Sequence, residues 1–237
     1  MHIHFIIHES YEGPAAFSQW VTDNGFKQTS THLYLGESLP AVIDFDLLVI
    51  LGGPQSPLTR RDECAYFDVE QEISLINRCI AKGKALVGVC LGAQLIGEAL
   101  GAKFEHSPQR EIGYFPITMT DAALASPLFE YFQLTEVVGH WHNDMPGLLP
   151  TSKVLAYSQA CPRQIVEYGD LIYGFQCHLE FTQTSISALI ASAFEQDAMF
   201  GEQWVQHPVD MAATDTRAMN RLLFQFLDKL VLKYKAH

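Results

Sequence analysis

Apolar positions along the chain fall into two rhythms. Continuous short runs at residues 3–7 (IHFII), 45–51 (FDLLVIL) and 85–89 (ALVGV) predict buried strands. Between them, apolar residues recur at helical spacing. Val69, Ile73, Ile76 and Ile80 predict an amphipathic helix over 65–82, closed by Gly83. A first helix is predicted over 14–24, with Pro14 near its first turn, and another over 91–100, directly after the third run. Buried strands alternating with helices imply a parallel sheet covered on both faces.

The rhythm changes after residue 110. The segments EIGYFPITMT (111–120), TEVVGHW (135–141), KVLAYS (153–158), QIVEYG (164–169) and LIYGFQ (171–176) read as strands with short gaps. The last two meet at Gly169-Asp170, a hairpin signal, so an antiparallel section extends the parallel sheet. Helices return at 183–196 and 215–235. In the second, Met219, Leu222, Leu223, Phe226, Leu230 and Tyr234 form one core-facing stripe. No repeat, low-complexity tract or linker interrupts the chain. The expectation is one α/β domain over residues 1–237: an open mixed, mainly parallel sheet in three layers, helices on both faces. The motif-bearing core covers about 1–182. The helices of about 183–235 either pack on the sheet or build a homodimer interface.

Composition narrows the function. With 48% hydrophobic and 18% charged residues in 237, a sizeable core forms and general disorder is not expected. A net charge of −12 repels phosphate backbones, so nucleic acid is not an expected partner. The five cysteines, Cys64, Cys79, Cys90, Cys161 and Cys177, are odd in number and contain no C-x-x-C pair, which fits a reducing cytoplasm better than a disulfide framework. The start, MHIHFIIHE, lacks a basic leader, and no apolar stretch reaches the ~18 residues of a membrane span, so no membrane contact is expected. His2 and His4 alternate with apolar residues and read as a solvated strand end. Tyr131, Phe132, Phe194 and Phe200 read as core or interface, and no cofactor is implied.

Candidate chemistry centres on Gly88-Val89-Cys90-Leu91-Gly92, between a buried strand and a helix. A nucleophile on such a turn has strained backbone angles, and glycine two residues to either side removes the collision that side chains there would cause. The helix N-terminus favours the thiolate, and the Leu91 N–H can serve as one oxyanion donor. The other reading of Cys90 is a small buried apolar residue, the reading given to the other four cysteines. His178 and Glu180, two apart in extended chain, share a face, so Glu180 can orient His178 as the base. Separately they read as a sheet-edge histidine and a solvated or helix-capping acid. Gly52-Gly53-Pro54 ends a strand expected beside 85–89. Proline has no N–H, so a second oxyanion donor there must be Gly52 or Gly53; otherwise the segment is a plain tight turn.

Three segments together resemble the signatures of the class I (triad-type) glutamine amidotransferases: Gly52-Gly53-Pro54, Gly88-Val89-Cys90-Leu91-Gly92-Ala93-Gln94, and Gly174-Phe175-Gln176-Cys177-His178-Leu179-Glu180. Order and spacing match over roughly 45 to 182. Glu111-Ile112-Gly113-Tyr114 and His140-Trp141-His142-Asn143-Asp144 look most like the free-standing members related to the glutaminase domain of GMP synthase. The resemblance implies a flavodoxin-like fold, a Cys90–His178–Glu180 triad, a Gly53 N–H completing the oxyanion hole and Gln94 holding glutamine. It also places Gly52, His142 and Asp144 at the substrate pocket. Two departures stand out: Leu179 where the family usually has proline, and Cys177 where it commonly has phenylalanine.

His140-x-His142-x-Asp144 also has the alternation of a metal site, but Met145 stands where a further histidine would be needed, and no metal is expected. No phosphate-binding G-x-x-x-x-G-K-[ST] loop is present. Three functions follow: a glutaminase delivering ammonia to a synthase on another chain, a γ-glutamyl amide or peptide hydrolase with water as acceptor, or a non-catalytic binding module of the same fold.

Overall fold

The computed structural model describes residues 1–194 and 201–237. Phe200 and the end of the helix expected at 183–196 lie outside the described residues.

One nine-stranded sheet organises the chain, in the order β2-β1-β3-β4-β9-β8-β7-β5-β6. Its parallel part is β1 (His2–Ile7), β2 (Lys27–His32), β3 (Leu47–Ile50), β4 (Ala85–Val89) and β9 (Ile172–Phe175). Beyond β9 the pairing turns antiparallel, through β8 (Ile165–Gly169), β7 (Lys153–Tyr157), β5 (Glu105–Met119) and β6 (Thr135–Met145). The expected hairpin between 164–169 and 171–176 is the β8–β9 pair.

Helices cover both faces: α1 (Ala16–Asp23), α2 (Val69–Ala81), α3 (Leu91–Ala99), α4 (Asp121–Leu124), α5 (Gln183–Ala193), α6 (Pro208–Ala213) and α7 (Arg217–Ala236). Two apolar clusters result. The larger packs α1 and α7 through Phe17, Trp20, Phe226 and Leu230; the other packs α2 and α3 through Leu75, Ile76, Leu95 and Ile96. Among the described residues no helix is long and apolar enough to cross a membrane.

One strand was not expected from the pattern, and two readings of it change. The strand β2, KQTSTH, carries no apolar alternation because it is an edge strand with a largely solvated face. His2 and His4 are buried rather than solvated: β1 lies between β2 and β3, and the two rings bond the hydroxyls of Thr29 and Thr31. In α2 the buried line runs through Glu72, Leu75, Ile76 and Cys79, offset from Val69–Ile73–Ile80, because Glu72 turns inward to meet buried His8, which directly follows β1. Of the aromatics, Phe132 is core, Phe194 packs on Trp141, and Tyr131 is exposed beneath the Lys229 ammonium.

The parallel order brings the C-terminal ends of β1, β3, β4 and β9 side by side. Ligands bind at such ends in open α/β sheets, and the candidate residues sit there.

Candidate active site

Cys90 follows β4 directly and caps α3 with φ 52° and ψ −112°. Only Cys90 and Ala15 combine a side chain with positive φ among the described residues. The sharp turn depends on its glycines: a Cβ on Gly92 would run into the Ile50 carbonyl of β3, and one on Gly88 into the Gly92 backbone. The Cys90 N–H is tied to the Phe175 carbonyl of β9 at 2.7 Å, locking the elbow to the strand that leads to the histidine.

His178 Nδ1 lies 2.6 Å from Oε1 of Glu180, both side chains buried. The ring stacks on Phe181, with centroids 4.1 Å apart. Burial favours the neutral ring, but the Glu180 carboxylate and Cys90 outweigh it and push the imidazole up to about 10. Leu179 does not leave this segment loose. His178 exchanges backbone hydrogen bonds with Gly139 at 2.8 and 2.9 Å, and Asn220 Nδ2 on α7 donates to the carbonyls of Leu179 and Phe181. Cys177 is buried and donates its thiol to the Gln164 carbonyl; burial pushes that thiol well up. The other cysteines are free thiols, and burial pushes Cys79 and Cys161 up to about 11.

A cavity of about 260 Å³ opens on Cys90, lined also by Gly53, Leu91, Gln94, His142 and Asp144. Leu91 is the first residue of α3, so its N–H has no acceptor within the helix. Gly52 presents its Cα to Cys90, and its carbonyl accepts a 3.0 Å bond from His8. Gln94 Nε2 donates to Gln176 Oε1 at 3.1 Å, and Gln176 Nε2 donates to the Cys90 sulfur at 3.3 Å. Asp144 pairs with His106 at 2.6 Å. A larger groove of about 870 Å³ lies between α1, α5 and α7, away from the candidate residues.

Some residues around the site were not legible beforehand. Gln176 shares the i, i+2, i+4 face with His178 and Glu180, a signal present in the chain. His8 is wedged between Gly52 and the buried Glu72 carboxylate, which outweighs burial and raises its pKa. Glu12, in the turn after β1, lines the Cys90 cavity. Glu111 of β5 lies within a buried polar network. Burial alone would raise its carboxyl, but His142, His140 and Ser158 hold it below the ordinary value. Ser158 donates to it at 2.9 Å and Gln164 at 2.6 Å, and His142 lies 3.3 Å away. Among the described residues, Glu111, His140 and His142 are also a group that could converge on a cation, with ligand atoms within 4.8 Å of one another. The third member is thus Glu111 rather than Asp144, which His106 engages.

The family model for class I glutamine amidotransferases matches residues 21–196. The chain belongs to that family. It is 47% identical to the glutamine amidotransferase-like protein YfeJ of Salmonella typhimurium, over 99% of both chains. It is 30% identical to the glutamine-hydrolysing GMP synthase of Aliivibrio fischeri over 59% of this chain but 25% of that one. Among solved structures, SMU.1228c superposes with a TM-score of 0.95 at 45% identity, covering 98% of this chain and 100% of that one. A glutamine amidotransferase from Thermotoga maritima shares the fold, with a TM-score of 0.84 at 20% identity over 98% of each chain. The amidotransferase fold expected from the three motifs is therefore present.

Proposed function

We propose that this chain hydrolyses the γ-carboxamide of glutamine to glutamate and ammonia, with Cys90 as nucleophile, His178 as acid and base, and Glu180 as its orienter. The observation that carries the reading is the elbow at Cys90 beside a buried, Glu180-oriented His178. Cys90 attacks the amide carbon as thiolate, and the N–H groups of Gly53 and Leu91 receive the oxyanion. One such donor is worth about 3 kcal/mol in related chemistry. Protonated His178 gives its proton to the leaving nitrogen, the C–N bond breaks, and ammonia departs from a γ-glutamyl thioester. Neutral His178 then takes a proton from water, whose oxygen attacks the thioester; glutamate leaves and the thiolate returns. Gln94 and Gln176 hold each other beside the sulfur, and His142 and Asp144 form the pocket wall.

The destination of the ammonia divides two versions of this chemistry. The match to a GMP synthase favours delivery to a synthase on another chain. The alternative is a γ-glutamyl amide or peptide hydrolase with water as acceptor, and five free thiols suit a reducing cytoplasm in either case. A substrate panel of glutamine and γ-glutamyl peptides, with wild type and Cys90→Ala side by side, alone and with cell extract, tests the proposal. Turnover of glutamine that rises with a protein fraction supports the synthase version; turnover of γ-glutamyl peptides alone supports the hydrolase. Activity retained in Cys90→Ala would refute the nucleophile. No turnover, with no labelling of Cys90 by a glutamine-like electrophile, would leave a binding module.

A further inference from the structure

The turn after β1 carries two carboxylates with opposite surroundings. Glu9 accepts hydrogen bonds from Tyr66 at 2.5 Å and from Gln55 at 2.8 Å. Glu12 lines the cavity that contains Cys90, yet no described residue donates a hydrogen bond to its carboxylate. Its Oε2 lies over the Cα of Gly52, and the Cβ of Cys90 approaches the same face. The turn is also strapped to the base. Ala15 sits at φ 46°, a strained conformation for a residue with a side chain, and Ala16 N–H then donates to the Glu180 carbonyl at 3.1 Å. The turn that carries Glu12 is thus joined by a backbone bond to the His178–Glu180 segment.

The charges that act on Glu12 include the proposed base. Burial pushes its carboxyl up to about 7, while His178 is the charge that most opposes the shift, ahead of His8; Glu180 and Glu9 add to it. His178 is the proposed donor to the departing nitrogen, and Glu12 offers a hydrogen-bond acceptor in the cavity that opens on Cys90, where that nitrogen is released. A carboxyl only partly ionised near neutral pH also limits repulsion of the thiolate and the oxyanion.

We propose that Glu12 accepts a hydrogen bond from the N–H of the scissile amide and so turns the leaving nitrogen toward His178. This rests on the γ-glutamyl hydrolysis proposed above and adds a contact specific to nitrogen leaving groups. No bond order changes at Glu12: the amide keeps its hydrogens until His178 supplies the one that lets ammonia leave.

Comparing an amide with an ester tests it, because an ester's leaving oxygen carries no hydrogen to donate. The reading is kcat/KM for glutamine and for glutamate γ-methyl ester, which reports the steps through thioester formation. Glu12→Ala is expected to lower the glutamine value by about 10- to 100-fold and the ester value by less than about 3-fold, with near-isosteric Glu12→Gln falling between. Equal losses on both substrates in Glu12→Gln, or no loss on glutamine in either variant, would overturn the role of Glu12. Wild type inactive on both substrates would instead overturn the γ-glutamyl reading itself, and this role with it.

Discussion

His8 Nε2 lies 3.0 Å from Oε2 of Glu72, with both side chains buried, and the same ring holds the Gly52 carbonyl through Nδ1. A buried ion pair between the turn after β1 and α2 thereby supports the Gly52–Gly53 turn that faces Cys90. Removing one partner leaves a buried charge uncompensated. Glu72→Ala is expected to cost about 3–5 kcal/mol of unfolding free energy, read by denaturant titration at neutral pH. His8 has a raised folded pKa, so its contribution is fully present below about pH 6.5 and fades as pH rises through the folded value.

Cys90→Ala and Cys90→Ser should each remove glutamine turnover, by at least about 1,000-fold, while leaving a cooperative thermal transition. Cys90→Gly should unfold at a slightly higher temperature than Cys90→Ala, since glycine relieves the positive φ of 52° by roughly 1 kcal/mol. Calorimetry of the variants checks the second outcome independently of activity.

Glu180→Gln is expected to lower kcat/KM by about 10²–10⁴-fold by releasing the ring that Nδ1 now anchors. It should also change the alkaline stability. His178 is raised from 6.5 to about 10, so its ion pair stabilises the fold fully below pH 6.5 and the gain is lost as pH climbs toward 10. Melting temperature against pH should therefore fall less steeply between 7 and 10 in Glu180→Gln than in wild type.

Acid acts through different histidines. Burial lowers His140 to about 3 and His4 to about 4, so both favour the fold above pH 6.5 and withdraw that support as pH falls through those values. His140→Gln should flatten the acid limb of the melting profile below pH 6.

Asn220 ties down the segment behind His178, where Leu179 stands in place of the proline expected from the resemblance. Its amide donates at 2.7 Å to Leu179 and 3.0 Å to Phe181. Asn220→Ala should cost about 1–3 kcal/mol and lower kcat more than it raises KM, because the defect lies behind the base rather than in the pocket. Steady-state kinetics and chemical denaturation on one preparation separate the two effects.

What the chain alone determined was local. Continuous apolar runs specify buried strands because both faces of a parallel sheet are covered, and the Cys90 elbow needs glycines at fixed positions next to it. His178 and Glu180 lie two apart on extended chain, so their shared face needs no knowledge of the fold. Tertiary structure decided everything that joins distant segments. The polar strand β2 exists because β1 offers it an edge. His8 meets Glu72 across 64 positions, and Asn220 reaches Leu179 across 41. Glu12 enters the cavity because the sheet order sets the end of β1 beside the ends of β3, β4 and β9. Charges and amides of this kind carry no periodicity, and their partners are chosen by strand order and helix placement, which no window of sequence contains.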